Sequence, residues 1–426
     1  MLEFIFNSKT CMTTPATTVP LSSSLVEAKA NQRALFFLAA VMLVNALSYG
    51  TIIPLLYPYT ARFGIDAFGL SMLFVSFSLF QFLATPIIGR LSDIYGRRPL
   101  LLISLFGTSL SLALFASATS IWMLFLARIL DGITGGNMSV AQAVIADRLH
   151  GKERAKAFGL LGASFGFGFL AGPAIGGLLS EISLTAPFWF ASGLALLATV
   201  FGYFFLKESL HPDHRSEHGT EPVLNFHKLS SALKLPVRGL LLLTVLMTSL
   251  AHNDFILGFQ SFTNDILKLS PKTIGLLFAS FGVVSIIMQG VGIRFLLTHV
   301  KNHEKIILVS QISSAVVVAA LALTHSLLTF AAVLFFYMFV SSPIFTIVQS
   351  MISERTDPTK QGEVLGISSS YMSLGQIIGP TIAGLLALTN IRLVFVAGGL
   401  LYGISFLISW WASAKAQLHA RVTDPS

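Results

Sequence analysis

Charge is what this chain has least of. Only 11% of its 426 residues are Asp, Glu, Lys or Arg, where a soluble domain carries about 25%. Cysteine is almost absent too. The single Cys11 forms no internal disulfide and says little about compartment. No G-x-x-x-x-G-K-S/T run occurs, so energy from nucleotide hydrolysis is not expected. There is no nucleophile elbow and no His-rich metal motif at a membrane face, which argues against a membrane enzyme. Four histidines (His211, His214, His218, His227) fall in one polar stretch, but they are loosely spaced and lack Cys partners. They read as part of a solvated linker rather than a metal site. No cofactor or metal is expected.

Long apolar runs are what the chain has. It is 54% hydrophobic, with a mean hydropathy of +0.78. The runs are near 20 residues long, the length at which a helix crosses about 30 Å of hydrocarbon. They lack the alternation of outer-membrane strands. Twelve spans are predicted, at 34–57, 68–90, 98–117, 121–145, 157–180 and 187–206, then 236–262, 272–296, 304–324, 327–350, 362–388 and 391–413. The expected organisation is a polar tail (1–33), a six-helix bundle (34–206), a central loop (207–235), a second six-helix bundle (236–413) and a second tail (414–426). The first tail is polar and rich in Ser, Thr and Ala, unlike a secretory signal, and is expected to be mobile.

Basic residues set the orientation. Of 27 Lys and Arg, the loops on one side hold only Arg62, Lys268, Lys272 and Arg392, and Arg128 lies within a span. All others fall on the side of the tails, which the positive-inside rule makes cytoplasmic. The net charge of +8 is therefore a topology signal. Its spread over many short loops excludes a nucleic-acid partner.

The two bundles repeat each other. Residues 153–179 align without gaps on 360–386 at an offset of 207. Gly159, Gly168, Gly172, Pro173, Ile175, Gly177, Leu178 and Leu179 recur as Gly366, Gly375, Gly379, Pro380, Ile382, Gly384, Leu385 and Leu386. Two parallel repeats about an axis along the membrane normal place a substrate site between the halves.

Residues 89–98 (GRLSDIYGRR) form a charged turn between spans 2 and 3. Gly89 lets a helix end approach a neighbour, and Gly96 permits a tight turn. Asp93 can pair with Arg97 or Arg98 or sit at a helix N-terminus. The pattern G-x-L-x-D-x-x-G-R-R closely resembles the signature loop of the major facilitator superfamily of secondary transporters. That resemblance implies an all-α membrane protein with twelve transmembrane helices in two pseudo-symmetric six-helix bundles. It also implies that Asp93 holds the cytoplasmic ends of the halves together, with the start of span 11 near Gly362 and Glu363 as its partner.

Three further stretches extend the resemblance. Residues 128–136 (RILDGITGG) are similar to the superfamily pattern R-x-x-Q-G-x-G, with Asp131 where Gln is common. Arg128 and Asp131 share a helix face and can neutralise each other. Charges at helix centre cost roughly 2.5–3.5 kcal/mol, so they face a cavity or a partner. The resemblance implies that Arg128 tunes a proton-accepting carboxylate, for which Asp131 is a candidate; a static ion pair is the alternative. Residues 168–177 (GFLAGPAIGG) match G-x-x-x-G-P-x-x-G-G of the proton-coupled drug antiporters. Gly168, Gly172, Gly176 and Gly177 permit close helix packing, and Pro173 permits a kink. Together these form a candidate seal; plain helix packing is the alternative. Span 1 resembles the tetracycline-exporter pattern D-A-x-G-x-G-x-x-x-P, but Asn45 replaces its Asp and cannot carry a proton. Asp254 in span 7 is the remaining proton-coupling candidate. It falls towards the outer end of its span, and a carboxylate that only faces water there is the alternative.

Asn45, Tyr49, Gln81, Asn137, Gln142, Gln349, Tyr371 and Gln376 are candidate cavity residues, and each can equally bond to a neighbouring helix. The resemblance implies a monomeric secondary transporter in a bacterial inner membrane. It would export a small, mostly apolar organic compound against protons by alternating access. An exporter or importer of a specific metabolite or siderophore stays open because of Asn45. A signalling sensor would need a folded domain, which neither tail nor the central loop is long enough to supply.

Overall fold

A computed structural model describes residues 21–149, 151–210, 226–235, 237–300, 302–356 and 361–423. Those residues are helical or in short turns, with no strand among them. Nine of the described helical stretches are long and apolar enough to cross a membrane, and Pro271–Ile287 is a shorter apolar helix.

In chain order the first half contains α1 (Leu21–Ile52), α2 (Leu56–Thr60), α3 (Ala67–Tyr95), α4 (Arg97–Ala116), α5 (Ile121–Thr134), α6 (Asn137–Arg148), α7 (Gly151–Leu179) and α8 (Ala186–Phe205). After a linker helix α9 (Phe226–Leu233), the second half contains α10 (Arg238–Ser261), α11 (Pro271–Ile287), α12 (Ile293–His299), α13 (His303–Leu321), α14 (Leu327–Glu354), α15 (Gln361–Ala387) and α16 (Ile391–Thr423).

Both terminal segments differ from the sequence reading. Helix α1 already starts at Leu21, and α16 continues to Thr423. The residues involved are rich in Ala, Leu, Lys, Gln and Glu, which favour helix wherever water or lipid surrounds them. Residues 1–20, with Cys11, and His211, His214 and His218 lie outside the described residues.

The predicted fourth span is broken into α5 and α6 at Gly135 and Gly136. A break inside a membrane leaves carbonyls that need partners. Gln81 supplies one by donating from Nε2 to the Gly135 carbonyl at 3.3 Å, and the Ser104 hydroxyl donates to the Thr134 carbonyl. The predicted eighth span is likewise interrupted, by a π-helical turn at Met288–Gly292.

Packing repeats between the halves. Cβ atoms at Gly168 and Gly172 would lie 2.6–2.8 Å from α1, against Ala46, Leu47 and Thr51. At Gly379, the counterpart of Gly172, a Cβ would lie 2.7 Å from the Leu250 carbonyl of α10. Thus α7 lies on α1 as α15 lies on α10. Each glycine helix also reaches the other half. Gly177 meets Lys272 and Gly275 of α11, while Gly384 meets Phe68 and Ser71 of α3.

Candidate functional site

The halves meet at one end and part at the other. At the far end, remote from residues 89–98, Tyr57 donates to Asp265 Oδ2 at 2.6 Å across the interface. Lys272 pairs with Glu181 at 3.0 Å. Leu257, Ala383 and Val394 of the second half join a buried cluster with Ile52, Leu56 and Leu73 of the first. Below this seal the helices diverge. Gly282 still touches Leu170. One to three turns nearer the loop end, Gly166, Gly162 and Gly159 continue roughly the same face of α7, and a Cβ at any of them would meet nothing within 4 Å. Gly89 of α3 and Gly366 of α15 are open in the same way. The close approach expected at Gly89 is therefore not made in this conformation.

Among the described residues, Asp93 pairs within the first half. It pairs with Arg97 at 2.5 Å, and Arg97 also reaches Asp147 at 3.0 Å and Ser92 Oγ at 2.7 Å. Of its expected partners near the start of α15, Gly362 offers only backbone and the Glu363 side chain lies outside what is described. Gly96 makes the turn with φ +106°, a value other residues rarely adopt. The Glu208 carboxylate accepts from the backbone N–H of Arg97 at 2.9 Å and of Arg98 at 3.2 Å. It therefore sits on the positive end of α4. Arg98 binds the Tyr203 carbonyl, and Arg148 binds those of Lys207 and Glu208. The start of the central loop is thus fixed to the first half rather than free in solvent.

Arg128 and Asp131 pair at 3.0 Å, and both are over nine-tenths buried. The guanidinium also lies over the rings of Phe77 and Phe115, at 5.4 and 5.1 Å, a favourable place for a desolvated cation. Tyr49 stands near both charges. It is just over one-third exposed and packs on Phe77.

The other candidates are dispersed. Asn45 and Asn137 bind each other through both amides, at 3.2 and 3.1 Å, so the residue replacing the exporter Asp is spent on an amide pair. Gln349 donates to Ser368 at 2.8 Å. Gln376 is half-buried on α15 and Gln142 is exposed on α6. Tyr371 is buried and donates to the Leu229 carbonyl of α9, tying the linker helix to α15.

Asp254 corrects the sequence reading most. It is fully buried rather than facing water, because Gly398 and Tyr402 of α16 and Tyr337 of α14 lie beside it. Neither carboxylate oxygen has a hydrogen-bond partner among the described residues. A Cβ at Gly398 of α16 would lie 2.8 Å from Asp254 Oδ2. The hydroxyls of Tyr337 (α14) and Tyr402 (α16), 3.0 Å apart, are its titratable neighbours. Sequence reasoning did not single out Tyr337, Tyr402 or the hydroxyls below them. Their only signal was the helical spacing of Gly398, Tyr402, Ser405 and Ser409.

The sequence profile of the Major Facilitator Superfamily matches residues 38–296 and 248–424. The chain belongs to this superfamily. It is 32% identical over 391 residues to "Tetracycline resistance protein, class C" of Escherichia coli, covering 87% of this chain and 95% of that protein. It is 28% identical over 386 residues to "Multidrug resistance protein 2" of Bacillus subtilis, covering 89% and 96%. Among solved structures, a bacterial homolog of the human lysosomal transporter Spinster superposes with a TM-score of 0.76 at 16% identity, covering 90% and 97%. The facilitator chain is thus a multi-pass integral membrane protein and a transporter, not an enzyme, from the tetracycline- and multidrug-resistance branch.

Proposed function

We propose that this facilitator exports small, mostly apolar organic compounds in exchange for protons, by alternating access. The loop end would face the cytoplasm of a bacterial inner membrane. The observation that carries the reading is the asymmetry between the two ends. The halves are sealed by Tyr57–Asp265, Lys272–Glu181 and an apolar cluster at one end, and they diverge along the glycine faces at the other. An opening on one side only is what a carrier presents in one of two alternating states.

Two buried carboxylates supply the coupling chemistry. An uncompensated charge in the membrane interior is expensive, and taking up a proton removes it. Substrate and proton would compete through their different affinities for the two states. Asp254, with no hydrogen-bond partner among the described residues, is the carrier favoured here, and the Arg128–Asp131 pair is the second candidate. The mutual bonding of Asn45 and Asn137 leaves few free amides for a polar cargo, which favours a lipophilic one.

The test is proton movement in proteoliposomes challenged with tetracycline, lipophilic cations and carboxylate- or hydroxamate-rich chelators. Substrate-evoked proton flux should occur with the first two and vanish in Asp254→Asn. Substrate exchange with no proton movement would overturn the antiport reading, and a response confined to the chelators would favour a siderophore carrier.

A further inference from the structure

Below Asp254, the interior of the second half is unusually polar for a helix interface in a membrane. Three helix faces converge there. Helix α10 contributes Asp254, Thr248 and Thr244, α13 contributes Ser314 and Gln311, and α16 contributes Tyr402, Ser405 and Ser409. All are more than nine-tenths buried. They lie in layers. Ser405 Oγ is 3.1 Å from Thr248 Oγ1 and accepts from Gln311 Nε2 at 2.8 Å. Nearer the loop end, Thr244 Oγ1 and Ser409 Oγ are 3.1 Å apart. Towards the far end, Ser314 follows Gln311 by one turn on α13, and Tyr402, paired with Tyr337, precedes Ser405 by one turn on α16. From Asp254 to Thr244 the column runs about 15 Å at 1.5 Å per residue.

The hydroxyls of Thr244, Thr248, Ser405, Ser409, Tyr337 and Tyr402 are paired with one another, but other polar atoms of the column are not. Both oxygens of Asp254, Oε1 of Gln311 and Oγ of Ser314 are buried and have no hydrogen-bond partner among the described residues, as is also true of the Gln260 amide and Ser261 Oγ further along α10. Unpaired buried polar groups in one region are where ordered water belongs. Gly398 adds room, since a side chain there would press on Asp254. The column is blocked on the far side by the rings of Phe255, Phe259, Phe262, Phe330 and Phe395, packed on one another. On the loop side Thr244 lies about 9 Å from the first residue of α10.

We infer that this column is a one-sided proton path connecting Asp254 to the loop end of the second half, separate from the space between the halves. The inference rests on the proton-coupling reading above. In each transfer the Asp254 carboxyl gives its proton to a column water or hydroxyl, which passes its own proton on towards Thr244. The carboxylate is left behind, and the proton enters solvent at the loop end. Uptake is the reverse. Besides Tyr337 and Tyr402, no titratable or charged group from the packed helices acts on Asp254 among the described residues. The hydroxyls and water therefore carry the relay.

The test is an acid jump on the full chain in nanodiscs, with Asp254 followed by the infrared band of its carboxyl group, assigned by its loss in Asp254→Asn. Ser405→Ala and Gln311→Leu should slow proton exchange at Asp254 at least tenfold while leaving its final protonation unchanged, and Ser405→Thr should restore the rate. Ser314→Ala removes a hydroxyl that has no partner, so it should fold normally and also slow exchange. Ser192→Ala, in a hydroxyl pair of the first half, should leave the rate unaltered. Exchange at the wild-type rate in the Ser405, Gln311 and Ser314 variants overturns the path, even if Asp254→Asn abolishes substrate-evoked flux. If that flux survives in Asp254→Asn, Asp254 is not the coupling carboxyl, the role passes to Asp131, and the path falls with it.

Discussion

The two halves share a scaffold and differ in how they treat a buried acid. In the first half Asp131 has a guanidinium at 3.0 Å, and two aromatic faces hold that guanidinium in turn. In the second half Asp254 has no hydrogen-bond partner among the described residues and has the Tyr337 and Tyr402 hydroxyls as neighbours. The glycine contacts of α7 on α1 and of α15 on α10 repeat between the halves, but the two acids lie on different elements, Asp131 on α5 and Asp254 on α10. Duplication thus preserved the packing and left the polar interior free to diverge. One half holds a compensated charge pair, and the other holds a carboxyl with no hydrogen-bond partner among the described residues.

The largest expected effect comes from uncompensating the first half. Arg128→Met should cost about 3–5 kcal/mol, because it strands a buried carboxylate. The double variant Arg128→Met with Asp131→Leu should recover most of that loss, because replacing a buried pair with apolar groups is often neutral. Thermal unfolding in detergent reads both. A single variant as stable as wild type would mean that Asp131 is already neutral, and the contrast with Asp254 would disappear.

Next come the shared contacts. Gly172→Ala and Gly379→Ala each push a methyl to within about 3 Å of the facing backbone. Each should cost about 1–3 kcal/mol through overpacking. Similar losses in the two halves would support a common scaffold. A large loss in one alone would show that the repeat is not energetically equivalent. At the far-end seal, Tyr57→Phe removes one interfacial hydrogen bond and should cost the closed arrangement about 1 kcal/mol. Distances between spin labels across that end should show a several-fold larger outward-open population.

How much of this was legible beforehand depended on range. The repeat at an offset of 207 revealed the scaffold because glycine needs at close helix contacts are local and leave letters in fixed places. The Arg128–Asp131 pair was legible for the same reason, being one turn apart on one helix. The burial of Asp254 was not legible because it depends on what α14 and α16 bring beside it. Glu208 was missed because it caps α4 from more than a hundred residues away. Asn45 was read as a lost proton site, and its pairing with Asn137 emerged only once the break at Gly135 and Gly136 set the start of α6 against α1.

The smallest expected effect on stability is the most informative. Asp254→Asn keeps the shape of the side chain and removes no hydrogen bond, since neither oxygen makes one with a described residue. A carboxyl that carries its proton in this conformation would differ from an amide mainly in one N–H group, and that is the case the variant tests. Stability should therefore change by no more than about 1 kcal/mol, within the range of ordinary neutral substitutions. If Asp254 were instead a charged group held by an unseen cation, removing its charge would release that cation, and the variant would lose the salt-dependent part of its stability. Unfolding measured in potassium and in sodium buffers distinguishes the two. Equal, near-wild-type values with proton flux abolished assign Asp254 to coupling rather than to holding the bundle together.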